Sequence, residues 1–122
     1  MKLGQGKVSE AYLERIAQTR IRFINGIDDR VQSVRKVMSG EAQEPAAETP
    51  QRTIHRMLHD MAGNTAMLQL PEIEKVVRTA LAIAETCDDE DRQMTPEERN
   101  RFSADLDEIA RLAAESSTVE GN

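Results

Sequence analysis

Apolar residues recur at intervals of three and four in four separate stretches of this chain, and almost nowhere at intervals of two. That period is the helical one, so the chain must fold by packing helices through one apolar stripe each. Three of the stretches open on a proline, at Pro50, Pro71 and Pro96. Proline is harmless in a first helical turn but ends a preceding helix, so each one marks a boundary.

The first stretch gives the stripe Leu13, Ala17, Ile21, Ile24, Ile27, Val31, Val34, Met38, with Ser9 as its N-cap. A helix over about 9–38 follows. Asn25-Gly26 is its weak point, since glycine inside a helix costs about 0.5–1 kcal/mol relative to alanine. One long helix bent there, or two helices broken there, both satisfy the pattern. Ser39–Thr49 has no period and holds Gly40 and Pro45, which makes it a loop. Thr49 then caps a helix over 50–69 with the stripe Ile54, Leu58, Met61, Thr65, Leu68. The helix over 71–87 buries Ile73, Val77, Ala80, Ala84 and Cys87. The helix over 96–115 buries Phe102, Leu106, Ile109 and Ala113. Its start, Thr95-Pro96-Glu97-Glu98, combines a cap, a first-turn proline and a capping-box glutamate. Residues 1–8 and 117–122 read as flexible tails. The 122 residues therefore specify a single all-α domain, an antiparallel up-down four-helix bundle with a long first helix.

Composition narrows the function. Only Tyr12, Phe23 and Phe102 are aromatic, so the core is aliphatic. Aspartate and glutamate outnumber lysine and arginine 22 to 16, which argues against nucleic acid as a partner, because phosphate backbones require a basic footprint. The single cysteine excludes an internal disulfide and fits the cytoplasm. No apolar run is long enough to span a membrane. The acidic run Asp88–Asp91 lacks the glycine and glutamate of an EF-hand loop and reads as a solvated turn.

The chemistry concentrates in the second helix, which carries both histidines. His59 lies beside the core stripe, at the rim of the bundle. Gly63 follows four residues later, one turn on. Helical side chains lean toward the N-terminus, so any side chain at 63 would lean over residue 59, and glycine leaves the imidazole uncovered. Ala62 and Ala66 keep the same flank low. An exposed imidazole is nucleophilic near neutral pH and can accept and release a phosphoryl group, act as a base or bind metal. No nucleophile-base constellation and no phosphate-binding glycine loop accompany it. His55 and His59 have the i, i+4 spacing of a zinc pair, but Arg56 stands where a zincin has glutamate and no third ligand is evident, so no metal is expected.

The run His59-Asp60-Met61-Ala62-Gly63-Asn64-Thr65-Ala66-Met67-Leu68-Gln69-Leu70 resembles the histidine-containing phosphotransfer (HPt) domain. That family has an apolar residue two after its histidine, glycine four after, then small residues and apolar positions. Phe23–Val31 looks like the family's first bundle helix. The resemblance implies that His59 is phosphorylated and relays phosphoryl groups between receiver-domain aspartates of response regulators or a hybrid histidine kinase. It implies no cofactor of the chain's own, since Mg²⁺ belongs to the receiver, and a monomeric carrier rather than a self-contained enzyme. Two positions depart from the family. Ala62 replaces a frequent lysine, whose charge Arg56 or Arg52 would have to supply, and Gln69 replaces a frequent glycine. The expected docking flank is Arg52, His55, Arg56, Ala62 and Ala66 around His59. The competing reading is a helical adaptor domain that keeps the bundle and transfers nothing.

Overall fold

A computed structural model describes residues 2–41 and 48–120, with side chains from Ser9 to Glu41 and from Glu48 to Ser117. It contains α1 (Lys2–Ser39), α2 (Pro50–Met67), α3 (Pro71–Asp89) and α4 (Pro96–Glu120). The helices form the expected antiparallel four-helix bundle. Each helix packs on its sequence neighbour, and α4 returns to close against α1. Antiparallel closure is visible in the cross-links: Ser117 of α4 bonds Asn25 of α1 at 2.7 Å, while Arg35 ten residues later in α1 reaches Ser103 at 3.1 Å and pairs with Asp107.

The stripes of α2, α3 and α4 are buried as their spacing predicts, with Leu58, Val77, Phe102, Leu106 and Ile109 fully inaccessible. In α1 the stripe enters the core only from Phe23 and Ile24 onward. Ala17 is exposed, and Leu13 is 61% exposed beyond the level where Ser117 meets Asn25. Periodicity places a residue on a face of its helix, but burial also needs a neighbour at that height. Asn25-Gly26 does not break α1. Nor does α1 start at Ser9: the helical backbone reaches Lys2, and α4 runs to Glu120. The flexible tails expected over 1–8 and 117–122 are thus helical wherever described. Propagating a nucleated helix costs little until a proline intervenes, and none does. Met1, 121–122 and most of the expected Ser39–Thr49 loop, residues 42–47, lie outside the described residues.

The starts of α2 and α4 are those read from the residues. Thr49 Oγ1 accepts from Arg52 N at 3.2 Å. Thr95 and Glu98 form a reciprocal capping box, with Glu98 N donating to Thr95 Oγ1 at 3.1 Å and Thr95 N donating to Glu98 Oε1 at 2.9 Å. The ends share a device that sequence spacing does not reveal. After α1, α2 and α3, Gly40, Gln69 and Asp91 take positive φ angles of 78°, 57° and 50°. Each starts a Schellman turn, as in Leu70 N donating to Thr65 O at 2.9 Å and Arg92 N to Cys87 O at 3.0 Å. These turns place the helix ends at Met67 and Asp89 rather than at residues 69 and 87.

Candidate functional site: an open imidazole beside a histidine-carboxylate pair

The outer face of α2 presents His59 to solvent in the middle of the helix, where no end effect disturbs it. Leu58 and Met61 on the other face are buried and anchor the turn that carries it. No hydrogen bond joins His59 to any of the described residues; the ring of His55 stands edge-on to it with centroids 6.4 Å apart. One turn on, Gly63 is exposed, and a Cβ built there would meet nothing within 4 Å. The space beside Gly63 is therefore open, and no packing constraint requires glycine at that position.

Arg52, Arg56 and Ala66 lie exposed around this patch, and His55 is half-buried. Ala62 does not join them. It is 2% exposed and belongs to the hydrophobic core. Ala62 stands four residues after Leu58 and seven after His55, whose side chain reaches α3, so the same helix face carries residue 62 against α3. The docking role expected of Ala62 is withdrawn, because a residue that no partner can touch does not form a docking surface. A lysine substituted there would have to bury its stem or displace α3.

The two arginines that could supply the missing positive charge are already engaged. Arg56 grips Glu48 through both forks, Nε to Oε2 at 3.1 Å and Nη2 to Oε1 at 2.9 Å. The guanidinium in turn holds the Glu48 carboxyl below its ordinary range. Arg52 Nε reaches Asp88 Oδ1 at 3.4 Å.

Asp88 is the residue that the sequence reading missed. Instead of solvating a turn, it closes the last turn of α3 with a side chain only 11% exposed. Its Oδ2 lies 2.8 Å from His55 Nδ1. That hydrogen bond, then Arg52, hold the Asp88 carboxyl below its usual range against the opposing effect of burial. Asp88 stands near α2 only because α3 runs back antiparallel to it, and no local pattern announces a contact 33 residues apart.

A second concavity, a cavity of about 260 Å³, opens between the end of α1, the start of α2 and the α3–α4 turn, with Val37, Ile54 and Cys87 in its lining. It includes neither His59 nor Gly63. Among the described residues, no group of three or more His, Cys, Asp and Glu side chains could hold a metal ion, and no helix is long and apolar enough to cross a membrane. Comparisons with protein-family models, with curated proteins and with solved structures find no match to the chain.

Proposed function

We propose that this chain is a histidine phosphotransfer protein, with His59 as the residue that takes and gives the phosphoryl group. One observation carries the reading: a solvent-facing imidazole, free of hydrogen bonds to the described residues, at mid-helix beside the open space at Gly63. A carrier needs such a nucleophile, because its partner's active site must close over it. The backbone at Gln69 supports the same reading. The HPt family often has glycine at this position, ten residues after its histidine, and here φ is +57°, the conformation that glycine adopts most easily.

In the transfer, a ring nitrogen lone pair of neutral His59 attacks the phosphorus of a receiver's aspartyl phosphate in line. The bond from phosphorus to the aspartyl oxygen breaks, and its electron pair returns to that oxygen as carboxylate. The other ring nitrogen keeps its proton, so the imidazole carries one positive charge beside the phosphoryl dianion until it releases that proton to water. The reverse step passes the group to a second receiver. Mg²⁺ belongs to the receiver's site, and the setting that such a relay requires is the cytoplasm.

The adaptor reading retains one observation in its favour: Ala62 is buried and both Arg52 and Arg56 are bound to carboxylates. Incubation with a phosphorylated receiver separates the two. The carrier gains an acid-labile label, and His59→Gln abolishes it without loss of fold. An unlabelled wild-type protein, tried against the receivers of its host, would leave the adaptor.

A further inference from the structure

A phosphoryl group on His59 brings two negative charges to α2, whose sequence from Pro50 to Met67 contains no lysine. We infer that His55, oriented by Asp88, binds the phosphoryl oxygens in the lysine's place; this inference rests on the reading of His59 as the acceptor. His55 Nδ1 lies 2.8 Å from Asp88 Oδ2. An ionised carboxylate only accepts, so Nδ1 carries the hydrogen and donates it. The ring is thereby fixed, with its side chain 24% exposed and its anchor 11% exposed. The remaining nitrogen, Nε2, faces away from Asp88. It lies 3.9 Å from Glu85 Oε2, too far for a hydrogen bond. Glu85 precedes Asp88 in α3 by three residues, and α3 runs antiparallel to α2. Nε2 therefore turns toward the level of His59, whose ring stands edge-on at 6.4 Å.

The separation of the rings leaves space for a group bonded to one and hydrogen-bonded to the other. With a proton on Nε2 as well as on Nδ1, His55 is a charge-assisted donor to phosphoryl oxygens. The titratable and charged groups facing it are Arg52 and His59 on α2 and Glu85 and Asp88 on α3. Asp88 acts through His55, as a positioning residue, and does not touch the phosphoryl group. Glu85, 57% exposed, sits where its carboxylate opposes an incoming phosphoryl group.

The test measures initial rates of label transfer from a phosphorylated receiver to wild type, His55→Leu, His55→Lys, Asp88→Asn and Glu85→Gln. Thermal unfolding is recorded for each, and the labelled residue is mapped. His55→Leu is expected to slow labelling of His59 by about tenfold, the loss of one good hydrogen bond in the transition state, while His55→Lys stays within about threefold of wild type. Asp88→Asn should slow transfer and shift the ¹⁵N signature of the His55 Nδ1–H in the unphosphorylated protein, and Glu85→Gln should speed transfer. If His55→Leu unfolds, the Asp88→Asn and Glu85→Gln rates decide. A wild type labelled on His59 whose folded variants all transfer at equal rates overturns the role of His55 and leaves the phosphocarrier reading standing. A wild type that takes no label overturns both.

Discussion

Gly63 separates the cost of a residue from its use. It sits inside α2 with ordinary helical backbone, and a methyl group there would meet no atom within 4 Å. Alanine gains backbone entropy relative to glycine in such a place, so Gly63→Ala should stabilise the fold by about 0.8–1 kcal/mol. For a domain of this size that is about 3–5 °C in Tm. Gly26 in α1 is equally unobstructed and remote from the histidines in sequence, so Gly26→Ala is the control, with a similar gain expected. Gly63→Gln should retain much of the stability gain, since glutamine is a good helix former. Its side chain would lean back over His59 and obstruct a receiver. The expected pattern is a variant more stable than wild type and slower in phosphotransfer, which unfolding cannot explain. Calorimetry and transfer rates on the same preparations check it. A Gly63→Ala protein of lowered Tm would refute the backbone reasoning, and Gly63→Gln with unchanged transfer would refute the purpose assigned to the glycine.

Two further outcomes follow from the turns at the ends of the bundle. Gln69 holds φ of +57°, a conformation that costs a non-glycine residue about 1 kcal/mol, so Gln69→Gly should raise stability by up to that amount in denaturant unfolding; a loss would show that the Gln69 side chain contributes more than its backbone strain. Glu98 is held down at about 2 by the Arg92 guanidinium first and by the Thr95 backbone N–H next. A carboxyl depressed from 4.5 contributes stability that is complete above about pH 4.5 and is lost as pH falls toward 2. Glu98→Gln should therefore flatten the acid limb of a stability–pH curve between those values, and an unchanged limb would assign acid unfolding to other groups.

Much of the bundle is local information and could be read from the chain. Steps of three and four put Leu58, Val77 and Phe102 on apolar faces whatever the tertiary arrangement, because a helix has one period. Thr49, Thr95 and Glu98 cap their helices using atoms within three residues, so their hydrogen bonds too were legible. The exposed imidazole of His59 and the open space at Gly63 also follow from spacing along one helix. What the sequence could not decide is anything that depends on the height or side at which another helix arrives. Leu13 belongs to the apolar stripe of α1 yet is exposed, and Ala62, one residue past the stripe position Met61, is buried. Asp88 looked like a residue of a solvated turn and became the anchor of His55, through a contact between residues 33 apart. Such pairings are created when helices dock, and their partners share no sequence neighbourhood. The exposed histidine proposed as the acceptor was therefore visible in the residues, while the groups that surround it were placed by the packing of α3 against α2.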